Sequence, residues 1–518
     1  MILNNYLEPF YRAIHDAQVG AVMISNEALN NDNKNKNRRN LTNILRDILE
    51  FKGFALSDLL DTVNNQIYNC FLLDLNLGKN CDLGYSMKNE NANESAIRII
   101  ATMYKMNQME DYPEVDLYKG IIKNESKNIQ KEAAIESQVL LKNKEKILPL
   151  KKNQTIVVIG NISIKRDCQS DNKNAIPLGI DSNSTKSECF ISPLEEFKKL
   201  AQKKNVTVKS LSDIINSNTS KIETGLDKIE SIVKDLKKSI NVAIVFVTIS
   251  LDKYFVVDDG LNSSLWDYTD NLINITIKNE IKVILVINAL KVSIPSWLNN
   301  VDACLFSGYP GAEASQAIAD ILFGDENPSG HLPFTWNNES QPYQSLSSLD
   351  NCAKVDKKIK KDEFKYKGID SDGLLDDIKN FGKEKYNYFP FGFGLSYSSF
   401  VYSSNLSFII NETSLTVTFN ITNNSTYPGQ AVPMMFLSFP DIKGYPEYLF
   451  KGFEKVKIEP NKTQTVTIVA DDHALSYFDS ELNKYVRVNG TINVYIVENG
   501  NITNPKINIT TNYTSYDK

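Results

Sequence analysis

Several common functional signatures are missing from this chain. Its six cysteines, Cys70, Cys81, Cys168, Cys189, Cys304 and Cys352, include no CxxC pair, which argues against a zinc site or a redox motif. No apolar run approaches the ~20 residues that span a bilayer as a helix. The first residues, Met1-Ile2-Leu3-Asn4-Asn5-Tyr6, carry neither a basic stretch nor an apolar core, so no signal peptide is read there. Gly160 follows a strand pattern, but no GxGxxG or Walker motif accompanies it, so nucleotide binding is not expected. A net charge of −6 argues mildly against a nucleic-acid partner.

What is present describes a globular protein. The 518 residues are 42% hydrophobic and 23% charged, enough for about three domains with their own cores. Cys70/Cys81 and Cys168/Cys189 are close enough in sequence for small-loop disulfides in an oxidising compartment, with free loop thiols as the alternative. Cys304 sits in an apolar strand pattern and reads as a buried thiol. Asn-x-Ser/Thr sequons, among them Asn40, Asn205, Asn274, Asn420 and Asn489, favour a glycosylated, secreted protein.

The periodicity changes along the chain. Residues 8–18 and 41–51 predict amphipathic helices, each followed by a short strand, 20–25 and 53–57. That βαβ rhythm implies parallel strands, which need cover on both faces. Residues 31–39 read as a polar loop. Residues 131–141 predict a helix that ends at Leu148-Pro149-Leu150. Continuous apolar strands at 155–160, 242–247, 283–287 and 303–306 predict a buried parallel sheet. Helical patterns lie near 193–203, 222–238, 263–278 and 312–323. Residues 340–385 read as a polar linker. From Tyr397 the period becomes two, with strands at 405–410, 414–419, 465–469 and 490–497, which predicts an all-β sandwich.

Three stretches then stand out in order. They are Ala133-Ala134-Ile135-Glu136-Ser137-Gln138-Val139-Leu140-Leu141-Lys142-Asn143, Gly308-Tyr309-Pro310-Gly311-Ala312-Glu313 running on to Pro333, and Phe389-Pro390-Phe391-Gly392-Phe393-Gly394-Leu395-Ser396-Tyr397. Together with Phe450-Lys451-Gly452-Phe453-Glu454-Lys455-Val456 they resemble glycoside hydrolase family 3, the β-glucosidase type, over essentially the whole chain. The resemblance implies a multidomain α/β plus all-β architecture. Residues 1–115 would be the C-terminal part of a (β/α)8-type barrel, 116–153 a linker and 154–340 an α/β sandwich with a mostly parallel sheet. Residues 341–395 would be a second linker and 396–518 a fibronectin-III-like sandwich. It also implies a retaining β-glycosidase that releases terminal β-linked glucose from polysaccharide, with a β-glucoside or oligosaccharide partner, no metal or organic cofactor, and secretion.

Retaining glycosidases use two carboxyl groups about 5–5.5 Å apart, one a nucleophile and the other an acid/base. By resemblance Asp58, in Gly53-Phe54-Ala55-Leu56-Ser57-Asp58, matches the nucleophile at a strand end. Its alternative role is a cap for a helix starting at Leu59. The family's Trp after this Asp is Leu59 here, and its Ser-Tyr-Asn is Ser25-Asn26-Glu27, with Ser25 and Asn26 as candidate substrate contacts. The acid/base, a Glu in relatives, falls in Thr248-Ile249-Ser250-Leu251-Asp252-Lys253-Tyr254, where Asp252 is the nearest carboxylate. Asp is one methylene shorter, and Lys253 would lower its pKa. Asp258 and Asp259 are further candidates, and a solvated acidic loop is the alternative. His15, His331 and His473 match no sugar-binding position and read as structural. The family's earlier barrel strands would precede Met1, so a C-terminal portion or a diverged copy with weak turnover is expected. The alternative from another class is a non-catalytic carbohydrate-binding or scaffold protein on the same fold.

Overall fold

The computed structural model describes residues 7–24, 44–57, 89–109, 124–160, 191–210, 230, 233–235, 237–248, 267–289, 296–337, 387–442, 447–479, 482 and 484–513. The 31–39 loop, the 340–385 linker and all cysteines except Cys304 lie outside them. The chain divides into two compact units. One takes Met1–Ile121, Tyr343–Leu375 and Tyr477–Val486, and the other Ile122–Pro342, Asp376–Ser476 and Arg487–Lys518.

In the first unit, helix α1 (Glu8–His15) starts on a proline-bearing first turn, and Arg12 bridges Glu8 at 3.1 Å and Asp16 at 3.2 Å. Strands β1 (Ala21–Ile24) and β2 (Phe54–Ser57) pair in parallel, as the βαβ rhythm predicts. The connecting helix expected over 41–51 is, among the described residues, only a π-helical turn at Ile44–Ile48, closed by Leu49 N–H donating to the Ile44 carbonyl at 2.9 Å. Its apolar side still packs inward: Leu45 and Leu49 join Ile14, Ile24, Phe51 and Ala55 in one core. Helix α2 (Asn89–Lys105) leaves Ile97, Ile100 and Tyr104 exposed. The hairpin segment 477–486 belongs to this unit, where the Tyr485 ring lies 5.7 Å from Tyr11 and 5.4 Å from Phe478.

The second unit is built on a six-stranded sheet. Its strands are β3 (Val139–Asn143), β4 (Thr155–Ile159), β5 (Thr207–Ser210), β6 (Val242–Thr248), β7 (Lys282–Asn288) and β8 (Ala303–Phe306), in the order β3-β8-β7-β6-β4-β5. All neighbours are parallel except β3, which pairs antiparallel with β8 at one edge. Its helices include α3 (Asn124–Glu136), α4 (Pro193–Lys204), α5 (Asp267–Lys278) and α6 (Ala314–Phe323). Alternate residues of the central strands feed two separate cores. Val157, Ala243, Val245 and Leu285 pack with Leu272 and Ile273 of α5. Ile156, Ile244, Phe246 and Ile284 pack with Phe197 of α4 and Ile318 of α6. Both faces are therefore covered, which explains the unbroken apolar runs. Helix α4 opens on a reciprocal Ser192/Glu195 capping box and closes on Asn205 at φ 54°. Lys131 of α3 reaches Asp320 of α6 at 3.3 Å, and burial still holds the Asp320 carboxyl above its usual range.

The helix predicted over 131–141 stops at Glu136, and Val139, Leu140 and Leu141 are edge-strand residues instead. Three consecutive apolar side chains cannot share one helical face, but a strand sends Val139 and Leu141 into one core and Leu140 into the other. Leu395 N–H donates to the Leu140 carbonyl at 2.8 Å, which ties the aromatic 389–397 segment onto this edge. Phe389 there adjoins Trp336, and Tyr397 donates its hydroxyl to the Ile321 carbonyl at 2.9 Å.

The β-sandwich comes next in the chain. Ser414–Asn423 lies between Phe400–Ile410 and Thr463–Asp471, and a four-stranded sheet places Met434–Ser438 and Gly490–Val497 between Leu449–Phe453 and Ile507–Tyr513. Leu415, Val417, Phe419 and Ile421 are buried, while outward Thr418 and Thr467 pair hydroxyls at 2.9 Å.

Candidate active site

The backbone that delivers Asp58 is built by close approach and one guanidinium. The register of β1 and β2 runs Ala21↔Phe54 to Ile24↔Ser57, so the two strands end level at their carboxyl ends. Ser25 and Asn26 follow β1 directly, and Asp58 follows β2. All three lie outside the described residues. At the opposite end, Gly53 is held so near Gly20 that a Cβ would sit 2.2 Å from the Gly20 carbonyl oxygen, so no larger residue fits there. Arg46 donates from Nη1 to the carbonyls of Phe51 (2.7 Å) and Gly53 (2.6 Å), and its guanidinium lies 5.3 Å from the Phe51 ring centre. The turn into β2 is thereby fixed by a charge that does not titrate.

Asp252 belongs to the segment that follows β6. This segment, with Asp258 and Asp259, also lies outside the described residues, but its point of departure is informative. Five parallel strands in the order β8-β7-β6-β4-β5 place the reversal of winding between β4 and β6. Ligands of open α/β sheets bind at the carboxyl ends of the strands flanking such a reversal. Strand β6, which precedes the Asp252 segment, borders that crevice. Gly160 ends β4 there with φ +128°, and an added Cβ would lie 2.8 Å from the Phe246 carbonyl oxygen of β6.

Two side chains at this edge carry no obvious mark in the sequence. Asn288 registers with Thr248, the last residue of β6 before the Asp252 segment, and is fully buried with its side-chain carbonyl unpartnered. Ser307, directly after β8, is also buried with an unpartnered hydroxyl, although its N–H donates to the Ile287 carbonyl at 2.8 Å. A buried polar atom without a partner costs about 1–3 kcal/mol. The signal of Asn288 and Ser307 in the sequence is a polar residue immediately after an unbroken apolar strand, Ile287-Asn288 and Phe306-Ser307.

Other reactive types are structural. Cys304 is a free, fully buried thiol whose pKa burial raises, and Lys142, its amine pulled down by burial, donates to the carbonyls of Leu298 (3.2 Å) and Asn299 (2.6 Å). His15 packs on Tyr11 at 4.3 Å. Among the described residues no cluster of His, Cys, Asp or Glu could hold a metal ion.

Comparison with known proteins places this arrangement. The glycosyl hydrolase family 3 N terminal domain matches residues 1–79, and the fibronectin type III-like domain matches residues 431–499. A probable beta-glucosidase M of Aspergillus niger is 26% identical, over 95% of this chain and 68% of that protein. A probable beta-glucosidase F of Aspergillus flavus is 28% identical over 78% of this chain, and the match spans 50% of its length. The fold is that of the beta-D-glucoside glucohydrolase from Trichoderma reesei, with TM-score 0.77 at 23% identity, covering 98% of this chain and 74% of that one. The glycosyl hydrolase family 3 C-terminal domain matches residues 138–397, half of the chain, and so the chain belongs to glycosyl hydrolase family 3.

Proposed function

We propose that this chain is a retaining β-glycosidase of β-glucosidase type, acting on terminal non-reducing β-D-glucosyl residues of a β-glucoside or oligosaccharide outside the cell. Asp58 is the nucleophile and Asp252 the acid/base, with Ser25 and Asn26 contacting the sugar. The domains are a barrel portion at 1–115, an α/β sandwich at 154–340 to which 116–153 adds α3 and the edge strand β3, and a β-sandwich at 396–518, with 341–395 between the last two. In the first step Asp252, protonated, gives its proton to the leaving glycosidic oxygen as the Asp58 carboxylate attacks the anomeric carbon. In the second, Asp252 as carboxylate takes a proton from water, which displaces Asp58 and restores the β configuration.

The observation that carries the reading is the level ending of two parallel strands, Ile24 against Ser57, which starts Asp58 and the Ser25-Asn26 pair from one sheet edge. The place of β6, which precedes Asp252, beside the winding reversal supports it, as do the names of the relatives. Leu59, in place of an aromatic, and the short Asp252 side chain favour slow turnover.

The test is hydrolysis of an aryl β-glucoside by the full chain. Asp58→Asn is expected to remove turnover, while a change at an exposed position of the β-sandwich, Val469→Thr, retains it. Turnover that survives Asp58→Asn overturns the assignment. No turnover in any form, together with saturable glucan binding, moves the chain to the non-catalytic carbohydrate-binding reading.

A further inference from the structure

Within the described residues the β-sandwich carries most of the Asn-x-Ser/Thr sequons, and their hydrogen bonds sort them. Asn411-Glu412-Thr413 forms the tip between Phe400–Ile410 and Ser414–Asn423. The Asn411 side-chain carbonyl accepts from the Thr413 N–H at 2.9 Å, the Thr413 hydroxyl at 3.1 Å and the Ser414 N–H at 2.8 Å. Asn501-Ile502-Thr503, between Gly490–Val497 and Ile507–Tyr513, repeats the pattern. Its carbonyl accepts from the Thr503 hydroxyl at 2.9 Å and the Asn504 N–H at 3.1 Å. Among the described residues these are the two sequons whose Thr hydroxyl bonds its own Asn. At Asn420 the carbonyl is taken by Thr465 at 2.8 Å, and the Thr422 hydroxyl pairs with Thr463 instead.

Asn411 and Asn501 are exposed, and neither amide nitrogen donates to a described residue. The bonds that tie back their carbonyls join residues no more than three apart, so each turn can form before the sandwich does. Each leaves its –NH2 to water. Asn423-Asn424-Ser425 is the opposite case. Asn423 is fully buried and spends both amide hydrogens, on the carbonyls of Tyr427 at 2.7 Å and Ile458 at 2.9 Å. A sugar in place of either hydrogen would break a buried hydrogen bond and force a bulky polar group into the packed interior.

We infer that Asn411 and Asn501 are N-glycosylation sites, each taking an oligosaccharide from a polyprenyl-diphosphate donor, and that Asn423 stays bare. In the transfer Nδ2 bonds the anomeric carbon and gives up a proton. The anomeric C–O bond to the donor breaks, and the diphosphate leaves with its electron pair. The transfer belongs to the secretory pathway, so it rests on the location outside the cell proposed above.

The full chain is prepared twice, from its own source and from a eukaryotic host that secretes it behind an added cleavable leader. An amidase that releases N-glycans in heavy-oxygen water turns each glycosylated Asn into a labelled Asp, which fragment masses assign to single residues. Label is expected at Asn411 and Asn501 of the secreted chain and not at Asn423. Thr413→Ala should abolish label at Asn411 and keep it at Asn501, and Thr503→Ala should do the reverse, which excludes spontaneous deamidation. If a variant is not secreted, the pattern in the unsubstituted chain decides alone. An unlabelled Asn411 or Asn501 in the secreted chain, or label at Asn423, overturns the assignment. Label in the secreted chain with none in the chain from its own source supports the two sites and overturns the location outside the cell.

Discussion

The β1–β2 pair and the six-stranded sheet both present parallel strands, yet they are held by different means. Strands β4, β6 and β7 are sealed by helices on each face, and Ile244 and Leu285 are fully buried on opposite sides of the sheet. In the pair, Ile24 and Ala55 are buried, but Met23 is 53% exposed. Among the described residues its turn is pinned by Arg46 on two backbone carbonyls, with one small core behind it. A strand end backed by two cores holds its position through packing, whereas one for which the described residues supply a single small core depends more on particular polar contacts. The candidate nucleophile follows the second kind of strand, and the candidate acid/base follows the first.

Breaking the packing of the larger sheet should have the largest effect. Ile244→Ala deletes a fully buried side chain between β4 and β7, next to α4 and α6, and should cost about 2–5 kcal/mol. Hydrogen exchange should accelerate together in peptides covering 242–248 and 282–288. Acceleration confined to 242–248 would mean that the sheet is not one cooperative layer.

Arg46→Met keeps the stem and its contact with Phe51 but removes both charge-assisted hydrogen bonds. A loss of about 1.5–3 kcal/mol is expected, read as exchange in residues 51–57 roughly 10- to 100-fold faster, with 242–248 unaffected. Unchanged exchange in 51–57 would show that the small core alone fixes the turn, and the contrast between the two sheets would fall.

Much of this architecture is readable from residue pattern, and the misreadings have physical causes. Unbroken apolar runs at 155–160, 242–247, 283–287 and 303–306 give the buried strands because only two-sided cover permits such runs. The strand order and the antiparallel β3 are not in the pattern, since pairing is decided by contacts far apart in sequence. Val139-Leu140-Leu141 reads as the end of a helix because its neighbours favour one, and tertiary packing overrides them. The short β5, Thr207–Ser210, carries too few apolar residues to declare itself. At the site, Asp58 and Asp252 are named by resemblance and lie outside the described residues, and the spacing between two carboxyl groups is set by no local periodicity. Asn288 and Ser307 escape sequence reading for a related reason, because a polar residue after a strand looks like an ordinary loop start until its burial is known.

The smallest effect distinguishes an open face from a covered one. Met23 alternates with buried Ile24 on β1 and registers with Leu56 of β2. With its side chain about half in solvent, Met23→Lys can lay its methylenes over the same surface and keep its ammonium in water. The change should stay within about ±0.5 kcal/mol, with exchange in residues 20–24 altered no more than about twofold. A loss of more than about 2 kcal/mol would require that face to be apolar and covered in the working protein. The β1–β2 pair would then be two-sided like the larger sheet, and the strand end before Asp58 would be as firmly packed as the one before Asp252.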